Sequence, residues 1–193
     1  MSKVDSSNIL SKVEELKGIY FENNTKNMLF KKSQKDDCAK YISENIDINL
    51  LIEKTVYIIP NTNIIVIDYP VFKLFANGDN YTRIIDHIMN LFDYAIKYYG
   101  NFEVNYNLES FTVSAAERYV PAVKEFCNRC LTQSTRYSDL MITFRILNTP
   151  TVMDMIITIF KPFTEKTVIQ KLVLLKKEDT VKYLSETFIE YSL

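Results

Sequence analysis

The chain has 193 residues, 47% hydrophobic and 13% aromatic, enough to bury a substantial core in one domain. Its 23 Lys and Arg are balanced by 24 Asp and Glu, so no overall positive field exists to hold nucleic acid. Only three glycines occur, where average usage of about 7% would give roughly thirteen, which argues against the Gly-rich loops that cradle phosphates.

Residues 1–50 read as a partly helical N-terminal extension. Positions 7–17 put Ile9, Leu10, Val13 and Leu16 on one helical face, with Gly18 expected as the C-cap. A short helix is predicted around Cys38, Tyr41 and Ile42. Lys26, Lys31, Lys32 and Lys35 surround Leu29 and Phe30, a pattern that suits a solvated face or contact with anionic headgroups; Glu22, Asp36 and Asp37 dilute it.

The main domain is expected over 51–193. Two β-branched runs, 55–59 and 63–68, flank Pro60-Asn61-Thr62 and predict a hairpin, with 71–75 continuing the second strand past Pro70. Asn80 can cap a helix ending at Gly100, with Ile84, Ile85, Ile88, Leu91 and Phe92 facing inward. Alternation of Phe102, Val104, Tyr106 and Leu108 with polar residues predicts a strand. Ser114-Ala115-Ala116-Glu117 has the form of a capping box, although Pro121 offers a second place for that helix to begin. Its later part carries Val123, Phe126, Cys127, Cys130 and Leu131 on one face. A strand at 141–147, helix 152–160, a helical turn at 164–169, strand 172–175 and helix 180–189 complete the order. Strands alternating with helices long enough to cross over predict an α/β fold with a mostly parallel sheet flanked by helices.

Chemistry of the enzymatic kind is sparse. The one histidine, His87, would have to serve any Ser-His-Asp or Cys-His system, and it reads more simply as a partly exposed helical residue. Cys127-Asn128-Arg129-Cys130 is a C-x-x-C, but only Cys38 and His87 remain as further zinc ligands. The pair also falls at a helix C-terminal end, the wrong end for lowering a thiol pKa, so packing residues are the simpler reading. Helix 152–160 is unusual because Val152, Met153, Met155, Ile156, Ile157, Ile159 and Phe160 cover most of its circumference. Thr151 and Asp154 form a cap-like start, and Pro162 stops it. Such a helix is either enclosed by protein or covers something apolar that is not protein.

No signal-peptide run opens the chain, no stretch approaches the ~20 apolar residues of a bilayer span, and three cysteines do not make a disulfide framework. These features read as a cytoplasmic protein from a reducing compartment.

The stretch from Tyr137 to Lys171 is the most specific. Tyr137-Ser138-Asp139 precedes Ile142-Thr143-Phe144-Arg145-Ile146-Leu147, then Asn148-Thr149-Pro150, the apolar helix, Lys161-Pro162-Phe163 and Thr167-Val168-Ile169-Gln170-Lys171. This order resembles the CRAL-TRIO lipid-binding family, in which a strand ends at Asn-x-Pro and feeds a gate helix closing on Lys-Pro-Phe. The resemblance implies an apolar pocket walled by Phe102, Val104 and Tyr106, with a gate formed by Val152, Met153, Ile156, Ile157 and Phe160. It further implies a non-enzymatic protein without cofactor that binds or transfers a phospholipid such as a phosphoinositide. Asp139 and Lys171 match the family's headgroup positions, where a lysine pairs with phosphate and a carboxylate accepts inositol hydroxyls. A transient membrane surface and a cytoplasmic, peripheral location follow from the same likeness. Two departures stand out: Phe102 and Val104 replace the hydroxyl side chains of lipid-transferring members, and no Arg-rich helical module is recognisable in 1–50. A branch found beside Rho-GTPase-regulating domains uses this fold as a protein-interaction scaffold, the alternative function with a protein partner.

Overall fold

The computed structural model describes residues 6–24 and 31–190. Lys26, Leu29 and Phe30 of the lysine cluster lie outside the described residues, as do the side chains of Lys31 and Lys32. The chain opens with α1 (Ser6–Asn23), α2 (Lys31–Asn45) and α3 (Ile48–Thr55), followed by β1 (Val56–Ile58), β2 (Ile64–Asp68) and α4 (Tyr69–Phe75). Next come α5 (Tyr81–Tyr99), β3 (Phe102–Asn107), α6 (Val113–Thr132), α7 (Tyr137–Leu140) and β4 (Met141–Leu147). It ends with α8 (Met153–Phe160), α9 (Lys166–Gln170), β5 (Leu172–Leu174) and α10 (Lys177–Glu190).

The five strands lie in the order β1-β2-β3-β4-β5. β1 runs antiparallel to β2 as a hairpin, and the other neighbours are parallel, each joined through helical crossovers. The sheet is therefore mixed and mostly parallel, flanked by helices.

Several local expectations are corrected. Residues 71–75 form α4 rather than strand, because Pro70 sits in the first helical turn, where its fixed φ suits a helix and its missing N–H is no loss. α1 runs straight through Gly18 to Asn23, so Gly18 is no cap. The cap of α6 is Thr112, whose hydroxyl accepts the Ala115 N–H at 3.2 Å, two residues before the expected box. Pro121 lies inside that helix on its exposed side, where water can serve the carbonyl it leaves without an N–H partner. α8 starts at Met153, with no side-chain cap from Thr151 or Asp154.

The core joins one face of the sheet to the helices. Val104, Phe102 and Ile65 pack with Phe75, Ile84, Ile85 and Phe92, and Ile9, Val13, Cys38 and Ile42 of the first two helices belong to the same buried cluster. α2 is also tied to α6 by an ion pair from Arg118 Nε to Asp36 Oδ1 at 2.6 Å. The other sheet face is polar at β3 and β4: Glu103 pairs with Arg145, and Asn105 Nδ2 donates to the Tyr183 hydroxyl of α10 at 3.0 Å.

The two glycines that bound α1 and α5 in the sequence reading have opposite roles. Gly18 is mid-helix with open space where a Cβ would stand, whereas Gly100 ends α5 at φ 77. Gly18→Ala is expected to stabilise by ~0.5–1 kcal/mol and Gly100→Ala to destabilise by ~1 kcal/mol or more, read from urea denaturation midpoints.

Candidate functional site

Between the sheet and helices α5, α6, α8 and α9 lies an apolar cavity of about 280 Å³. This is just below the ~300–1,000 Å³ seen for ligand sites. Alternation along β3 builds its floor: Phe102, Val104 and Tyr106 face the cavity while Glu103 and Asn105 face away. In register with them, Phe144 stands beside Val104 and Ile146 beside Tyr106.

The cover is α8. Met153, Ile156, Ile157 and Phe160 line the cavity, and Ile156 is only 1% exposed. Val152 lies apart from them, in an open groove with Ser110, Thr112 and Pro150. Met155 is 56% exposed on the outer side, so the all-round apolar character of this helix divides into an inner face on the cavity and an outer face in solvent.

The placement of α8 depends on the turn before it. Asn148 takes φ 51, a left-handed conformation that Asn tolerates. Its N–H donates to Thr180 Oγ1 at 2.8 Å and its Nδ2 to Asn107 Oδ1 at 2.9 Å. Asn107 Nδ2 in turn donates to Asp68 Oδ1 at 2.9 Å, so the turn is fastened across β3 to the end of β2. Burial raises the pKa of Asp68, and the Asn107 bond partly offsets that rise.

The lining extends along both a strand and a helix. Four steps along β3, from Phe102 to Tyr106, span ~13 Å, and twelve along α6, from Tyr119 to Leu131, span ~18 Å. One end is open: Leu131 is 58% exposed, and Lys161, Phe163 and Thr164 stand at the rim. The other end is closed by buried Tyr81, Leu108, Phe111, Tyr119 and Met153.

Asp139 and Lys171 do not line the cavity; each is next in sequence to a residue that does, Ser138 and Leu172. The Lys171 ammonium donates to three backbone carbonyls, those of Ser138 at 2.7 Å, Met141 at 2.5 Å and Asp139 at 3.3 Å. The Asp139 carboxylate is exposed and lies 3.5 Å from Arg136 Nε. The two residues therefore meet through backbone and not through their charges. Three neighbours escaped the sequence reading: Ser138 Oγ donates to Glu165 Oε2 at 3.1 Å, and Arg136 Nη2 approaches the same oxygen at 3.8 Å. Tyr119 was hidden by the uncertain start of its helix; it lies four residues before Val123, on the face that Phe126, Cys127 and Cys130 continue.

Cys127 and Cys130 lie on the cavity wall, and burial pushes their thiols up to about 11 and about 12. His87 bonds through Nε2 to the Val56 carbonyl at 2.9 Å. Among the described residues, no group of three or more His, Cys, Asp or Glu is placed to hold a metal ion, and no helix is long and apolar enough to cross a membrane.

Fold and site together define a class: an α/β protein built around an apolar cavity under a short helix, with its few ionic groups at one rim. The model of the CRAL/TRIO domain matches residues 77–193, and the chain belongs to this family of lipid-binding and lipid-transfer proteins, which are generally non-catalytic carriers. A solved structure, "Crystal structure of Sfh5", is similar over 98% of this chain and 100% of its own, at 10% identity and a TM-score of 0.48. No curated protein matches this sequence as a relative.

The cavity thiols lead to a pH test. In the unfolded chain they ionise near ~8.5, while the folded protein holds them neutral well above that. From about pH 8.5 to 10 the unfolded state therefore sheds protons first, and stability falls as pH rises. Urea midpoints across this range should show the fall, and it should be smaller in the Cys127→Ala/Cys130→Ala double variant. Thiol alkylation of both should be slow at neutral pH.

Proposed function

We propose that this protein carries a hydrophobic molecule taken from membranes, with α8 as the movable cover of the cavity. The observation that supports this reading best is the apolar cavity itself, closed at the Tyr119 end and open beside Leu131 and Lys161. Each methylene withdrawn from water contributes about 0.8 kcal/mol, so even one acyl chain is held firmly once enclosed. Two chains need more room than about 280 Å³ allows, and a phospholipid therefore enters with α8 displaced outward.

For a phosphoinositide, the headgroup lies at Asp139 and Lys171. Because the Lys171 ammonium already donates to three carbonyls, phosphate replaces one of those bonds, and Arg136 adds a second cation beside Asp139. The same three bonds, together with the small cavity, favour a second reading: a protein-interaction scaffold whose interior stays filled by its own side chains.

Native mass spectrometry of protein made in cells separates the two. A carrier retains a lipid mass that solvent extraction releases; a scaffold shows the bare chain. Ile157→Asp should abolish lipid pickup, because a carboxylate on the cavity wall carries a large desolvation cost. Arg136→Ala and Lys171→Ala should leave neutral-lipid pickup intact and weaken anionic phospholipids selectively, by about tenfold for a lost charge-assisted bond. Equal loss of neutral and anionic lipid in the folded Lys171→Ala protein would remove the headgroup assignment.

A further inference from the structure

The short helix α9 is pinned at both of its ends by side chains of opposite charge. Just after its last turn, the Lys171 ammonium donates to the carbonyls of Ser138 and Asp139 in α7 and of Met141 at the start of β4. An ammonium has three N–H donors, and three carbonyls take them all. Just before its first turn, Glu165 Oε2 accepts from Ser138 Oγ at 3.1 Å and lies 3.8 Å from Arg136 Nη2. Between the two pins Val168 and Ile169 line the cavity. The turn from α8 into α9 is closed by Thr164 Oγ1 on the Phe160 carbonyl at 3.0 Å, so the far end of α8 is held wherever α9 is held.

The two pins yield to the same chemistry. A phosphate competes with the carbonyls for the Lys171 ammonium, competes with Glu165 for the Arg136 guanidinium, and repels the Glu165 carboxylate. A phosphate monoester, with nearly two negative charges at neutral pH, does all three. An uncharged headgroup does none of them. We propose that Lys171 and Glu165 form a latch on α9, and that a phosphate monoester releases it, whether carried on a lipid headgroup or free in water. The inference rests on the reading of Asp139 and Lys171 as the headgroup position, and adds to that reading a control over opening.

Release of α9 does not by itself bare the cavity. Met153, Ile156, Ile157 and Phe160 stay on it until an apolar surface receives them. Full opening therefore takes two conditions at once, a phosphate at the latch and an apolar surface beside α8. Free phosphate supplies the first alone, and a bilayer without net charge supplies the second alone. A bilayer bearing phosphate monoesters supplies both.

The test is amide hydrogen exchange on the full chain, read separately over α8 and α9. The probes are inorganic phosphate against sodium chloride at equal ionic strength, and phosphatidylcholine vesicles with or without phosphatidic acid. In wild type, phosphate should speed exchange over α9 about tenfold relative to chloride, as one charge-assisted bond is lost, and leave α8 protected. Vesicles with phosphatidic acid should speed both helices, and phosphatidylcholine alone neither. A response to the charged vesicles only assigns the phosphate to a headgroup, and a response to both probes admits the free ion. Lys171→Met should exchange about tenfold faster over α9 in plain buffer and gain nothing from phosphate. Lys166→Met, which removes a charge from the exposed side of the same helix, should respond as wild type does. If Lys171→Met does not fold, Lys171→Arg takes its place: its flat fork cannot aim donors at three converging carbonyls, so α9 should lose protection in buffer. The proposal is overturned if neither phosphate nor the charged vesicles change α9, if the response survives Lys171→Met, if Lys171→Arg keeps full protection, or if phosphatidylcholine alone opens both helices. A latch that responds in a protein that never retains lipid removes the carrier reading alone; retained lipid without a response removes the latch alone.

Discussion

The hydrogen-bonded row Asp68–Asn107–Asn148 is the constraint on which the site depends. It crosses the ends of three adjacent strands and sets the direction in which β4 gives way to α8. Without it, Asn148 would have little reason to hold a left-handed backbone, and the helix that follows would have no fixed starting point over the cavity. The row is partly buried, so each member satisfies a group that would otherwise be costly. Asp68 accepts, Asn107 both donates and accepts, and Asn148 donates. Thr180 completes the arrangement by bonding the Asn148 N–H and the Leu175 carbonyl, which brings α10 into the same network.

Between this turn and Lys171, the covering helix is held in a different way. The segment that carries it is fastened by polar bonds before and after: Thr149 N–H to the Leu175 carbonyl ahead of α8, and Lys171, beyond α9, to three carbonyls. Within it Thr158 bonds the Asp154 carbonyl, Thr164 of the following turn bonds that of Phe160, and the helix rests on the cavity through apolar side chains. Exposing Met153, Ile156, Ile157 and Phe160 to water costs at most roughly 6–12 kcal/mol, at ~1.5–3 kcal/mol per side chain. Lifting the helix in water is therefore rare, and an apolar surface that receives those side chains removes most of the cost.

Much of this architecture is readable from residue order. The strand at 102–107 follows from strict alternation, α5 from its apolar face and Gly100, and the change from β4 to α8 from Asn148-Thr149-Pro150. Two of the difficulties share a cause. Pro70 and Pro121 both interrupt a local pattern, and a proline's effect depends on whether its missing N–H falls in a first turn or faces water, which tertiary structure decides. Alternation also puts Phe102, Val104 and Tyr106 on one face of their strand, whereas a pocket against that face was implied only by the family resemblance. Tyr119 was not legible, because its helix had two plausible beginnings and only one includes it. Lys171 shows a deeper limit: its position in a motif was visible, but its commitment to three carbonyls arises only where α9 meets α7 in space.

Both margins of the sheet are very short. β1 and β5 have three residues each, and the unpaired amides they leave are too few to template an added strand. On the carrier reading, uncovering the apolar cavity exposes a surface at which two chains can associate. With its outer strands so brief, the sheet offers a second chain almost no edge to extend into a fibril.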